Sequence, residues 1–320
     1  MLFNNTFSAK AAFILFIWMI VCLMPCCGSV DSMMTRSLIY PVRQPLVKNP
    51  ADYGMPYEDV AFMTRDSIAI KGWWIPGNGE EIIIMTHPMP FTRYGFSPEH
   101  QGIFKVSRVE VELLKTARRL HNEGYGVLTF DFRNHGESGK GNGGVCCVGL
   151  NEWQDVAAAL DYIAVRPEWR TRPVAFVSHC MGANATIIAM SRAGDKFKNV
   201  KCLVAVQPVS MNVLVPCMIR DKYPLFVSRV SGINKRVLRY TGHTLDEMSP
   251  ADYVKDIMVP ALYVQVEGDP WTRPSDIQRF YDLTPGHKEL LWIEGNERFD
   301  GYNYFGDHPE KLVKFLNSHF

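Results

Sequence analysis

From about Ser37 onward, short apolar segments alternate with longer segments whose apolar residues recur at helical spacing. Ile82 to Thr86 and Val174 to Val177 are largely apolar, as expected of strands buried on both faces of a sheet. Val109 to His121 and Asn151 to Ala164 carry apolar stripes and are predicted as helices. This alternation predicts an α/β fold with a mostly parallel, doubly wound sheet of about eight strands and helices on both faces.

The chain length is typical of one large domain or two small ones, and we expect one α/β domain over residues 37–320. With 320 residues, 47% of them hydrophobic, the chain can bury a large core. The stretch from about 207 to 256 is longer than an ordinary connection between elements and is partly helical in pattern. We therefore expect it to form a small helical cap inserted over the sheet.

The N-terminal residues differ from the rest of the chain. Ala11 to Met24 is an unbroken apolar run of 14 residues, preceded by Lys10 and followed by Pro25-Cys26-Cys27-Gly28-Ser29. A spanning helix needs about 20 apolar residues, so the run is short for one and fits a secretory signal better. Residues 1–29 are predicted as a cleaved signal, an uncleaved membrane anchor, or a lipoprotein signal with Cys26 or Cys27 modified. The protein is therefore expected to be exported or attached to a membrane.

Charge and motif content exclude several classes of function. The 34 Lys and Arg residues almost balance the 33 Asp and Glu residues, and no basic run points to nucleic acid. Neither His-x-x-x-His nor Cys-x-x-Cys spacing occurs, and there is no Gly-rich phosphate loop. We therefore expect no nucleic-acid partner, no metal site and no cofactor. Most cysteines are expected to be small buried side chains and not a disulfide framework.

The pentapeptide Ser178-His179-Cys180-Met181-Gly182 lies between a predicted strand and a predicted helix. A tight strand-to-helix turn exposes its middle side chain, here Cys180, and needs small residues two positions before and after it. The backbone N–H of Met181 would then point at the same place and could stabilise an oxyanion. The alternative is a buried cysteine at an ordinary strand–helix junction.

This pentapeptide resembles the nucleophile elbow of the α/β-hydrolase family, Gly-x-Ser-x-Gly. Cys180 replaces the serine, and Ser178 replaces the first glycine. A cysteine at the nucleophile position resembles the dienelactone-hydrolase-like members of the family. Asp131 to Ser138 resembles the family's Asp-x-Arg-Gly-His-Gly-x-Ser loop, which supports the site. Thr86-His87-Pro88-Met89 stands where the family has its oxyanion loop. Because Pro88 has no N–H, the resemblance makes Met89 the second oxyanion donor beside Met181.

The resemblance also implies an acid and a base in the order nucleophile, acid, histidine. Asp269, in the Gly-Asp loop after the strand that begins at Ala261, matches the acid. No histidine follows the last strand at the usual place, where Asn296, Glu297 or Arg298 stands instead. His308 is the predicted base. The alternatives are that no histidine is usable, or that another one, such as His287 or His319, serves.

Taken together, these motifs predict a hydrolase or acyl-transfer enzyme. Cys180 would attack the carbonyl of an ester, lactone or thioester, and the partner would be a small-molecule acyl substrate. The competing hypothesis is a catalytically inactive binding or interaction protein that keeps the scaffold without a working histidine.

Overall fold

The computed structural model describes residues 30–101, 105 and 107–320. The predicted signal or anchor, residues 1–29, therefore lies outside the described residues. Among the residues that are described, no helix is both long enough and apolar enough to cross a bilayer.

Strands alternate with helices along the described chain. The strands are β1 (Glu58–Met63), β2 (Ala69–Ile75), β3 (Ile82–Thr86), β4 (Gly95–Phe96), β5 (Val111–Glu112), β6 (Gly126–Phe130), β7 (Val174–His179), β8 (Val200–Val206), β9 (Ala261–Val266) and β10 (Lys288–Ile293). The helices are α1 (residues 30–39), α2 (Leu113–Asn122), α3 (Trp153–Ala164), α4 (Met181–Arg192), α5 (Met211–Lys222), α6 (Val230–Thr241), α7 (Pro274–Leu283), α8 (Arg298–Asp307) and α9 (Glu310–His319).

Eight of these strands form one sheet in the order β1-β2-β6-β3-β7-β8-β9-β10. β2 pairs antiparallel with β1 and with β6, and every other neighbouring pair is parallel. The central strands β3, β6 and β7 are buried at every position, which explains their nearly continuous apolar sequences. The predicted mostly parallel α/β sheet of eight strands is confirmed.

Two parts of the fold differ from the pattern expected along the sequence. The helix expected from Val109 begins at Leu113, because Val111 and Glu112 pair with Gly95 and Phe96 in a small second sheet. Helices α7 and α8 were not predicted. The segment between β8 and β9 contains α5 and α6, in the region where we expected the cap.

Buried ion pairs and hydrogen bonds connect the loop from Asp131 to Ser138 to three other segments of the chain. Arg133 is fully buried and donates from its backbone N–H and its Nε to Asp155 of α3, both at 2.8 Å. Its Nη1 donates to Asp66 at 2.7 Å. Asp131 accepts the backbone N–H of Arg93 at 2.7 Å and forms a buried ion pair with its guanidinium. The loop after β3 is therefore fixed against the loop after β6.

Candidate active site

Cys180 occupies the sharp turn between β7 and α4. Its backbone has φ 50° and ψ −113°, a conformation that a residue with a side chain rarely adopts. Its N–H donates to the carbonyl of Val206 at 2.8 Å, which fixes the turn to the neighbouring strand. A strained backbone of this kind persists only where the surrounding structure holds it, and such positions cluster at functional sites. The turn that the sequence pattern predicted is present.

The glycine two positions after Cys180 is required by close packing. A Cβ at Gly182 would lie 2.4 Å from Thr86 Oγ1 and 3.0 Å from the carbonyl oxygen of His87. The absence of a side chain therefore lets the first turn of α4 approach the end of β3. This approach brings the loop that contains Met89 next to Cys180.

We expect Gly182→Ala to lower the free energy of unfolding by about 1–3 kcal/mol, because the added methyl group overpacks this contact. Urea unfolding of the variant and the wild type measures the difference. Gly194→Ala is the matched control, since a Cβ there meets no atom within 4 Å. Equal losses in the two variants would contradict the packing argument.

The two predicted oxyanion donors are close to Cys180 in the wall of one cavity. Met181 is the first residue of α4, and Met89 lies in the loop after β3. Both residues line the same cavity as Cys180. Within the described loops and turns, neither backbone N–H donates to another residue. Among the described residues, these two N–H groups therefore have no backbone acceptor.

Arg298, and not a histidine, stands beside Cys180. It is the first residue of α8, whose start is fixed by a capping box between Glu297 and Asp300. Its side chain is 3% exposed. Arg298 and Tyr302, which lies one turn further along α8, line the cavity together with Cys180 and interact electrostatically with it.

The guanidinium of Arg298 is held by three further acceptors. Nη1 donates to Asp269 Oδ2 at 2.6 Å, Nε donates to Tyr302 Oη at 2.7 Å, and Nη2 donates to the carbonyl of Gln207 at 2.5 Å. The planar fork of an arginine suits such a fixed set of acceptors better than a lysine would. Arg298 therefore has a single orientation, with Cys180 on one side and Asp269 on the other.

Asp269 lies where the resemblance placed the acid of the site. Besides the bond from Arg298, its carboxylate accepts the N–H of Trp271 at 2.9 Å, Thr272 Oγ1 at 2.8 Å and Gln265 Nε2 at 3.3 Å. Its side chain is only 1% exposed. The carboxylate is thus fully hydrogen-bonded and orients an arginine in this protein, where the family pattern has a histidine.

Burial and the neighbouring side chains together set the pKa values of Arg298 and Tyr302. Burial alone would lower the pKa of Arg298, but Tyr302, Cys180 and Asp269 outweigh it and raise that pKa. Burial raises the pKa of Tyr302 well above its usual value, and the positive charge of Arg298 opposes this rise. Arg298 is therefore a permanent cation, and it would stabilise negative charge on either neighbour.

His308, the predicted base, is not brought to Cys180. It follows α8, where its N–H donates to the carbonyl of Tyr304 at 2.7 Å and its ring lies 5.2 Å from the Tyr304 ring. Its side chain is exposed, and it does not line the cavity at Cys180. The rings of His287 and His319, the other candidates, lie 5.1 Å from each other and also outside that lining. The reason is that the segment after β10 forms α8, which points Arg298 and Tyr302 inward.

Sequence reasoning missed Tyr302 entirely and treated Arg298 only as the residue that stands where a histidine was expected. Their spacing of four residues places them on one face of a helix. Glu297 and Asp300, at the first and fourth positions of a capping box, are the signal that could have revealed this helix.

Cys180 opens into a cavity of about 460 Å³, a volume typical of small-molecule sites. Its inner wall includes Met89, Met181, Arg298 and Tyr302, together with Cys180 itself. The polar groups of Arg298 and Tyr302 therefore lie beside Cys180 in the wall of a mostly apolar cavity.

Comparison with known proteins identifies the family of the chain. A family model described as "Alpha/beta hydrolase family" matches residues 83–305, which is more than half of the chain. No curated protein matches the sequence.

Solved structures resemble the chain in fold. An esterase from Pyrococcus furiosus is 20% identical, with a TM-score of 0.68, covering 88% of this chain and 98% of its own. An acetyl xylan esterase from Paenibacillus sp. R4 is 14% identical, with a TM-score of 0.59, covering 92% and 93%. An alpha/beta hydrolase from Penicillium sp. sh18 is 18% identical, with a TM-score of 0.58, covering 82% and 97%. With its strand order, its elbow at Cys180 and this family match over residues 83–305, the chain belongs to the alpha/beta hydrolase family.

Proposed function

We propose that the protein hydrolyses or transfers acyl groups from esters or thioesters, with Cys180 as the nucleophile. The observation that carries the proposal is the strained turn at Cys180, which holds the sulfur at the end of the cavity and against Arg298 and Tyr302. Similarity in fold to two esterases agrees with an ester-type substrate.

In the first half of the reaction, Arg298 supplies the countercharge for a thiolate at Cys180. The sulfur attacks the carbonyl carbon, and the negative charge that develops on the oxygen is bound by the N–H groups of Met181 and Met89. When the intermediate collapses, the bond to the leaving oxygen or sulfur breaks, and the leaving atom takes the proton of Tyr302 Oη. The acyl group is now bound to Cys180, and the tyrosinate faces Arg298 Nε.

In the second half, a water molecule or an acceptor alcohol gives its proton to the tyrosinate of Tyr302. The resulting oxygen nucleophile attacks the acyl carbon, and the carbon–sulfur bond breaks to release the product and the Cys180 thiolate. Tyr302 thus gives one proton and regains one in each cycle, while Arg298 remains charged throughout. Neither half of the reaction uses a histidine.

A binding or interaction protein is the second candidate. The observation that favours it is the lining of the cavity, which contains no histidine among the described residues, so that no group of ordinary basicity lies beside Cys180. In that case Arg298 would have a purely structural role, closing the site with Asp269.

The test is acylation and turnover of the purified protein with nitrophenyl esters and acyl thioesters of two to ten carbons. We expect the wild type to gain one acyl group at Cys180 by mass spectrometry. We also expect Cys180→Ala to lose at least about 10³-fold in turnover. Cys180→Ser should be equally inactive, because a hydroxyl needs a base to attack, and Tyr302 still carries its proton before the first half of the reaction. Cys217→Ala, a buried cysteine outside the cavity lining, is the control. Equal rates in wild type and Cys180→Ala, with no adduct, would favour the binding protein.

A further inference from the structure

We propose that the cavity at Cys180 binds an amphipathic acyl compound, with an apolar chain inside the cavity and an anionic oxygen group, a carboxylate or a phosphate, at its mouth. The inference rests on the proposed function for the identity of the reacting bond. The binding preference itself needs no chemistry at Cys180 and is tested without it.

The apolar part of the proposal follows from the composition of the cavity wall. Six methionines line it, and they come from four separate parts of the chain: Met33, Met34, Met89, Met181, Met211 and Met218. Methionine side chains are unbranched and polarisable, so a wall built from them adapts to flexible apolar ligands. This wall suits an alkyl chain better than a rigid polar ring.

The anionic part follows from the charges of the same wall. All charged residues among its described members are cations: Arg36, Lys105, Lys222 and Arg298. Arg298 lies inside and is neutralised by Asp269. Arg36, Lys105 and Lys222 are exposed, so they mark the mouth where the cavity meets solvent. An anion at the mouth would meet three positive charges, and no acidic residue of the cavity wall would repel it.

These three cations come from different segments and are not one local basic run. Arg36 lies on α1, Lys105 lies between β4 and β5, and Lys222 is the last residue of α5. Arg36 lies over the Tyr40 ring at 4.9 Å and has no carboxylate within 4.0 Å in the described part of the chain. Its charge is therefore available to a ligand.

Lys222 is partly neutralised. Its Nζ lies 3.3 Å from Asp221 Oδ2, and the same oxygen accepts the indole N–H of Trp271 at 2.9 Å. Asp221 itself is outside the cavity wall. Removing its charge while keeping the acceptor for Trp271 should therefore strengthen the binding of an anion. The proposal thus predicts one substitution that raises the affinity for anions as well as others that lower it.

The experiment measures binding of octanoate, octyl phosphate and 1-octanol to the full-length Cys180→Ala protein by calorimetry. All three probes carry the same eight-carbon chain, and only the head group changes. We expect the anions to bind at least about 10-fold more tightly than octanol, a difference within the reach of charge-assisted hydrogen bonds. A larger gain for octyl phosphate than for octanoate would identify phosphate as the preferred head group, and the reverse would identify carboxylate.

Variants locate the effect. In the same background, Arg36→Gln combined with Lys105→Gln and Lys222→Gln should remove the preference for anions and leave octanol binding unchanged. Asp221→Asn should increase the preference. Lys235→Gln, an exposed cation of α6 outside the cavity wall, is the matched control.

Octanol binding as tight as octanoate, no binding of any probe, or a preference that survives the triple substitution would each overturn the proposal. Because turnover is not measured, the comparison of probe affinities can be interpreted even if the acylation test fails. Conversely, loss of the anion preference does not affect the test of Cys180.

Discussion

Replacing Arg298 with methionine is expected to lower the free energy of unfolding by about 3–5 kcal/mol, because the change leaves a buried carboxylate without its countercharge. Asp269 is 1% exposed, and the guanidinium of Arg298 donates to it at 2.6 Å. Three neutral donors would remain on Asp269, but none carries a positive charge. Methionine fills a similar length of side chain, so loss of packing contributes little. Urea unfolding measures the difference.

A second substitution separates charge from other effects. Adding Asp269→Asn to Arg298→Met should recover part of the lost stability, because the buried carboxylate is then absent. Arg298→Lys keeps a charge but lacks the fork that binds Asp269, Tyr302 and Gln207 together, so we expect an intermediate loss. If Arg298→Met were as stable as the wild type, the charge pair would not be an organising feature of the site.

The same variants report on the chemistry. Acylation of Cys180 should fall in Arg298→Met even under conditions where the protein remains folded, because the thiolate loses its countercharge. Asp269→Asn alone should reduce acylation less, since Arg298 keeps its bonds to Tyr302 and Gln207. An inactive binding protein would show no acylation in any of these variants.

The fold could be predicted from the sequence because its strongest signals are local. β3 and β9 begin and end at the residues that the apolar runs indicated, since a strand buried on both faces must be apolar throughout. The turn at Cys180 was also predictable, because its small flanking residues stand at a fixed spacing in the sequence, although the packing that requires them comes from the end of β3. Gly182, with no room for a Cβ, is an example.

The base of the site could not be predicted in the same way. The family pattern predicts a histidine in a loop after β10, and chain order then indicates His308. The structure forms α8 there, so that the inward positions are Arg298 and Tyr302 while His308 is exposed. The capping box that starts α8 determines which of its side chains face inward, and the positions of the titratable residues in the sequence do not reveal it. Asp269 was identified from its loop, but its partner depends on which side chain α8 turns inward.

Acidification is expected to destabilise the protein steeply between about pH 6.5 and pH 4, because three buried histidines resist protonation. Burial lowers the pKa of His87 to about 3, that of His135 to about 3 and that of His179 to about 4. In the unfolded chain their pKa is about 6.5. Between these values the unfolded state binds more protons, so the stability present above pH 6.5 is lost as the pH falls.

The hydrogen bonds of His87 give an independent reason for its resistance. Its Nε2 accepts the backbone N–H of Phe132 at 3.0 Å, so the proton of the neutral ring lies on Nδ1, 2.7 Å from the carbonyl of Pro88. A second proton on Nε2 would face the N–H of Phe132 and break that bond. Protonation of His87 would therefore disrupt the loop that contains Met89, as well as introduce a buried charge.

The number of buried histidines sets an upper limit on the change in the free energy of unfolding per pH unit, and single substitutions assign that change to them. Each histidine contributes at most about 1.4 kcal/mol per pH unit, so the three together give at most about 4 kcal/mol per pH unit. Urea unfolding at half-unit pH steps measures the slope. His135→Gln, which keeps a neutral side chain near the carbonyl of Arg133 that His135 contacts at 2.8 Å, should remove about one third of the histidine contribution to the slope, whatever its effect on stability at pH 7. His308→Gln, at an exposed position, should leave the slope unchanged. Carboxylates titrate in the same pH range, so only the difference between the variants isolates the contribution of the histidines. A slope in His135→Gln equal to that of the wild type would show that buried histidines do not control acid stability.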